Sequence, residues 1–275
     1  MTLVLASNRK NKIRFCTDSR LTFEYSNGAK EYADVGVKLF KVPVKVSAND
    51  EVKYQKDWGM AFAGSTTNTY ILKEITQQLL SDISLVKQPN DFAFNICEYI
   101  NKIHEKLSSK LLPILRKNGK SYFVIGGYCP NQKRIRTFAF EYDDSQTPPK
   151  PTFTEIKIDT DTILMFGSGK EAAEKHNDWT DWTIIKVMNK VIEDNIEQSV
   201  GGEIQYGEFN DEGNFEIAQL IDMEKAGEKW KAKMTLNVFD YYKEDFGTQI
   251  FSPNQKTVAS NPENMQKYID RNKKD

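Results

Sequence analysis

The feature that most constrains this chain is a change of hydrophobic period at Thr66. Upstream, residues 2–8 and 12–17 are short β-prone segments joined by the polar turn Arg9-Lys10-Asn11, and residues 35–42 and 58–63 read as two more. Downstream, Leu72, Ile75, Leu79 and Ile83 recur at three and four, and after Pro89 so do Ile96, Ile100, Ile103, Leu107 and Leu111. That spacing predicts two amphipathic helices. Strand patterning returns at residues 120–128, 134–142, 153–158 and 162–166. Helical spacing resumes from Glu171, most clearly in Ile184, Val187, Val191 and Ile196, and strands follow at 203–207, 215–221 and 233–238. Blocks of strands separated by helical blocks predict an α+β fold, with sheets stacked face to face and helices outside.

Charge and composition narrow the function. The chain carries 38 Lys+Arg against 39 Asp+Glu, a formal net charge of −1, so no global field draws a polyphosphate and a dedicated nucleic-acid binder is not expected. Only two His and three Cys are present, widely spaced, which leaves little material for a zinc site, a disulfide framework or a His-based triad. Neither a metal nor a cofactor is expected. No apolar run reaches the ~18 residues of a membrane helix, and the N-terminus lacks the apolar centre of a signal peptide. The chain is therefore read as soluble, cytoplasmic and unassociated with membranes. Without an interior linker, one domain over residues 1–250 is expected, followed by a charged tail or arm at 251–275.

A series of short signals gains meaning from its order. Thr2 follows the initiator Met; Cys16-Thr17-Asp18-Ser19-Arg20 ends the second strand; Val37-Lys38-Leu39-Phe40-Lys41-Val42 forms the third; Ala61-Phe62-Ala63-Gly64-Ser65-Thr66 joins the fourth to the first helix; Gly167-Ser168-Gly169 precedes the later helical block, and Gly201-Gly202 follows it. The sixteen-residue step from Thr2 to Asp18 and the Ala63-Gly64-Ser65 junction are the most specific of these. Over roughly residues 2–206 the arrangement resembles the proteasome β subunits and the bacterial heat-shock-locus V peptidase, within the N-terminal nucleophile hydrolases. The resemblance implies a four-layer αββα sandwich of two antiparallel sheets flanked by helices. It also implies a closed homo-oligomer acting on peptides or unfolded proteins, supplied where needed by an ATP-dependent unfoldase.

The chemistry can be argued from the residues. Removal of Met1 leaves Thr2 with a hydroxyl and a free α-amine whose ordinary pKa is about 8, suited to general-base duty without histidine. A cation beside the hydroxyl favours its deprotonation; by family position this is Lys38, with Asp18 orienting the ammonium. Gly64 permits close approach of a backbone N–H to an oxyanion. Ser168 matches a hydroxyl that hydrogen-bonds the terminal amine. Plainer readings stand beside these. Asp18-Ser19-Arg20 is also an ordinary turn, Lys38 competes with Lys41 and Lys45 as a solvent-facing strand lysine, and Ser65 or Thr66 is a helix N-cap. Gly167-Ser168-Gly169 is equally a helix-start loop, Cys16 reads as a packed small hydrophobe, and His104 and His176 read as structural or surface residues.

Departures from the family pattern lie before the paired glycines, where an Asp and, three residues later, a Ser are usual. Here Glu197 keeps a carboxylate on a longer arm and Val200 loses the hydroxyl, unless Ser199 takes its place. By family position, Leu21, Gly36, Phe40, Phe62, Thr66 and Tyr70 line the pocket for the residue before the scissile bond, an uncharged set that favours small apolar side chains. Phe40 and Phe62 serve equally as sheet-core residues. The functional expectation is a threonine-type endopeptidase with Thr2 as nucleophile. The alternatives are a catalytically inactive scaffold, like the proteasome α subunits, and an amidase acting on small amides.

Overall fold

The computed structural model describes residues 2–25, 27–115, 119–176, 183–226, 229–236, 239–240, 256–260, 265–267 and 269–270. In chain order the elements are β1 (Leu3–Arg9), β2 (Lys12–Thr17), β3 (Leu21–Glu24), β4 (Lys30–Ala33), β5 (Leu39–Ala48), β6 (Glu51–Gly64), α1 (Thr66–Leu80), β7 (Ile83–Ser84), α2 (Phe92–Leu115) and β8 (Ser121–Cys129). They continue with β9 (Arg134–Asp143), β10 (Lys150–Ile156), β11 (Thr162–Gly167), α3 (Lys170–Glu174), α4 (Ile184–Asp194), β12 (Gln205–Phe209), β13 (Phe215–Ala226), β14 (Lys229–Leu236), β15 (Phe239–Asp240) and β16 (Lys256–Ala259). The fold is mixed α+β, as the change of period predicts.

Local chemistry sets the turns and helix starts. Lys10 and Asn11 between β1 and β2, and Asn49 and Asp50 between β5 and β6, all take positive φ, the geometry that matches a two-residue turn to the twist of a hairpin. Ser65 caps α1 by accepting from Asn68 N, Asp91 accepts from Phe94 N at the start of α2, and Thr183 accepts from Lys186 N at the start of α4. Asn195, left-handed at φ 48°, ends α4, so Ile196 falls outside the helix and is exposed. Ile83 likewise leaves the expected helix: α1 stops at Leu80, and Ile83 pairs with Val46 in the short parallel strand β7.

One sheet runs β11-β1-β2-β12-β13-β14-β15, with β16 added parallel to β13; the other runs β10-β9-β8-β6-β5-β7. The pair β3–β4 stands apart as a small antiparallel hairpin. Period-two alternation divides the core into three clusters. Leu3 and Leu5 of β1 pack with Val187, Met188 and Val191 of α4, whereas Val4 and Ala6 pack with Leu39, Ala61 and Val124 of the other sheet. Phe40, Val42, Met60 and Phe62 face Leu72 of α1 and Ile96 and Ile100 of α2. β5 runs on past the expected end at residue 42 through the buried alternation of Val44 and Val46, and β6 begins before the expected residue 58 because its outer half is mostly exposed and charged. Val35 lies outside the strand and is exposed. No helix among the described residues is long and apolar enough to cross a membrane.

Candidate active site

Thr2 immediately precedes β1 and is 2 % exposed. The β1–β2 hairpin, in which Val4 pairs with Thr17, brings Asp18 back beside it. One carboxylate oxygen of Asp18 accepts from Thr2 Oγ1 and from Leu3 N, both at 3.0 Å. The other accepts from Arg20 N at 3.0 Å, Gly201 N at 3.2 Å and Lys38 Nζ at 3.0 Å. Asp18 is thus more than a turn residue: it gathers donors from residues 2–3, 20, 38 and 201 and is fully buried.

Lys38, 1 % exposed, directs its ammonium onto Thr2 Oγ1, Asp18 Oδ2 and the Arg20 carbonyl, the last at 2.5 Å. Three N–H donors meet three acceptors. Burial pushes the Lys38 pKa below the ordinary lysine value, while Asp18 opposes that shift. Lys41 and Lys45, the competing strand lysines, instead form outward ion pairs with Asp57 and Asp82. Lys38 is held by a residue the sequence reading missed. Gln205 at the start of β12 accepts from Lys38 N at 2.8 Å and Leu39 N at 3.1 Å, and donates to Gly36 O at 2.6 Å. A lone glutamine at a strand start carries no local signal for such a role.

On the opposite side of Thr2, its backbone nitrogen donates to Ser168 Oγ at 3.2 Å. Ser168 Oγ lies 2.8 Å from Ser199 Oγ, which donates to Glu197 Oε1 at 2.7 Å. Ser199 thus brings a hydroxyl to Ser168, whereas the Val200 side chain joins the apolar cluster beneath α4. Gly64 ends β6 with φ +101°, and a Cβ there would stand 2.8 Å from the Lys120 carbonyl, so the turn requires glycine. Thr2, Gly64 and Ser168 all line one cavity of about 480 Å³. Met1 lies outside the described residues.

The six residues expected to line the pocket before the scissile bond lie outside this cavity. Phe40, Phe62 and Tyr70 form a packed aromatic trio with ring centroids 5.8–5.9 Å apart, and Tyr70 OH donates to Val37 O. Leu21 covers Gly36, where a Cβ would lie 2.4 Å from its side chain. Thr66 begins α1. None of the six lines the cavity at Thr2.

Comparison with solved structures brings out one group. An Anbu (Gly-1) mutant from Hyphomicrobium sp. strain MC1 aligns at TM-score 0.53 and 13 % identity, covering 88 % of this chain and 90 % of the other. The helical assembly of the Anbu complex from Pseudomonas aeruginosa aligns at 0.54 and 13 %, covering 88 % and 89 %, and Anbu (ancestral beta-subunit) from Yersinia bercovieri at 0.51 and 13 %, covering 75 % and 81 %. The fold is proteasome-like. The expected assignment to the proteasome β subunits and the heat-shock-locus V peptidase is thereby corrected, because the structural neighbours are Anbu proteins. The residues Thr2, Asp18, Lys38 and Gly64 suggested that assignment; the departures at Glu197 to Val200 are where the sequence leaves its pattern. No protein-family model matches the chain, and no curated protein matches it significantly.

Proposed function

We propose that this chain is a threonine-type endopeptidase that cleaves peptides or unfolded proteins, with Thr2 as its nucleophile. The observation that carries the reading is the contact of Thr2 Oγ1 with both Lys38 Nζ and Asp18 Oδ1, in a buried site that opens on a cavity. Removal of Met1 turns the Thr2 nitrogen into an α-amine. As Oγ1 attacks the peptide carbonyl carbon, the amine takes the hydroxyl proton and Lys38 stabilises the developing alkoxide. The Gly64 N–H meets the charge on the carbonyl oxygen. Collapse breaks the C–N bond, the amine returns the proton to the leaving nitrogen, and an ester remains on Oγ1. Water, deprotonated by the same amine, hydrolyses the ester and restores Thr2. Ser168, Ser199 and Glu197 orient the amine.

The same reading gives two mainly antiparallel sheets flanked by helices in a four-layer αββα arrangement, with Leu21, Gly36, Phe40, Phe62, Thr66 and Tyr70 forming a shallow pocket for a small uncharged residue before the scissile bond. A homo-oligomer is supported by the helical assembly of the Pseudomonas aeruginosa Anbu complex, and an unfoldase would deliver folded substrates. The cytoplasm suits three free, buried cysteines.

Intact mass of the purified protein and hydrolysis by a Thr2→Ala variant test the function together. The expected result is loss of one Met from the wild-type chain and no peptide hydrolysis by the variant. Unchanged hydrolysis by Thr2→Ala overturns the mechanism, and retained Met1 with no hydrolysis favours a scaffold.

A further inference from the structure

We infer that the cavity beside Thr2 is a subsite for a large apolar side chain on the residue that follows the scissile bond. This rests on the peptidase reading and adds a specificity that the expected pocket residues do not supply.

The space arises from strand alternation. Phe62 points toward α1 and packs in the aromatic trio, so Ala61 and Ala63 point to the opposite face of β6, between the sheets. The register places Ala61 opposite Val124, Ala63 opposite Tyr122, Val124 opposite Ala139, and Val4 opposite Phe166. All of these residues line the cavity. Interiors ordinarily pack to the density of organic crystals. Here two alanines of β6, Ala139 of β9 and the glycines 64 and 167 leave about 480 Å³ unfilled, continuous with Thr2 and Ser168. Apart from Thr2 and Ser168, the charged and polar members of the lining are Glu141, Lys170 and the Tyr122 hydroxyl. The ion pair of Lys170 with Glu174 is solvent-exposed, and Glu141 is exposed. The walls formed by Val4, Val124 and Phe166 are apolar.

Orientation follows from an extended substrate. Successive side chains of an extended peptide point to opposite faces. Gly64 ends the strand that separates the aromatic trio from the cavity, so a peptide whose bond lies at Thr2 presents one flanking side chain to each face. A small residue meets the filled Phe62 face, and the next residue meets the open Ala63 face.

The test uses peptides that vary only in the residue after the cleaved bond, with cut positions read by mass spectrometry. The wild-type chain is expected to cleave before Phe or Leu at least tenfold faster in kcat/KM than before Gly. Ala139→Leu, which fills the cavity from β9, is expected to bring that ratio within about twofold by slowing cleavage before Phe and Leu. Ala139→Val provides a milder filling should the first variant fail to fold. An unchanged ratio in a folded variant, or a preference confined to the residue before the bond, overturns the proposal. If no peptide is cleaved at all, the peptidase reading fails separately, and the cavity is then read directly. Titration with phenylalanine amide is expected to shift the methyl resonances of ¹³C-labelled Val4, which lines the cavity, in the wild-type chain and not in Ala139→Leu; absence of a wild-type shift overturns the subsite.

Discussion

At the scale of single residues, Lys38 and Asp18 depend on each other. Both are essentially removed from water, so deleting the ammonium strands a buried carboxylate. Lys38→Ala is expected to abolish peptide turnover and to cost about 3–5 kcal/mol of stability, read by urea denaturation alongside the assay. Gly64→Ala tests a different requirement. Its φ of +101° and the nearby Lys120 carbonyl predict a loss of more than about 1 kcal/mol and a fall in kcat greater than any rise in KM, because the N–H proposed above as oxyanion donor moves with the turn. His104 is expected to give a pH signature. Burial lowers its pKa to about 3, and its Nε2 lies within hydrogen-bond reach of Tyr142 OH and Ser121 Oγ. The unfolded chain takes up a proton near pH 6.5 that the folded chain refuses until about pH 3. Stability should therefore fall as pH drops through that window, by about 1.4 kcal/mol per unit from this group alone. Stability curves of the wild-type chain and His104→Gln measured between pH 4 and 7 check it, the variant having the shallower slope by that amount.

Among the elements, legibility followed the chemistry of each segment. The β1–β2 hairpin, α1, α2 and α4 were readable because one face of each is apolar and the turn and cap residues are typical. The β3–β4 hairpin was not: Phe23, Tyr25 and Tyr32 are exposed on it, so burial imposes no alternation. At the site, Thr2, Asp18, Lys38, Gly64 and Ser168 were visible through their order, and Ser199 through the missing hydroxyl at Val200. Gln205 was invisible, because its part depends on the sheet bringing it to residues 36–39 from more than 160 positions away. Trp58 shows how tightly neighbouring strands of the six-stranded sheet are fitted to each other. It is fully buried and lies over Gly127, where a Cβ would come within 2.0 Å of the ring. Trp58→Ala is expected to cost about 3–5 kcal/mol, measurable as a lowered urea midpoint.

For the whole molecule, the far end of the chain is tied into the larger sheet. β16 runs beside β13, Lys256 pairs with Glu208, and Val258 packs against the cluster beneath α4. Ending the chain at residue 255 is expected to lower Tm, by about 2–4 °C for each kcal/mol lost, and to leave Glu208 with Arg14 as its remaining cationic partner. The wiring of Asp18 has a consequence for synthesis. Its carboxylate reaches Gly201, and the Thr2 nitrogen reaches Ser168, so the arrangement closes only after distant parts of the chain have been made and docked. On the peptidase reading proposed above, a nascent chain carries Thr2 from its first moments yet lacks the surroundings that would arm it, which would protect the ribosome-bound chain and its neighbours from premature cutting.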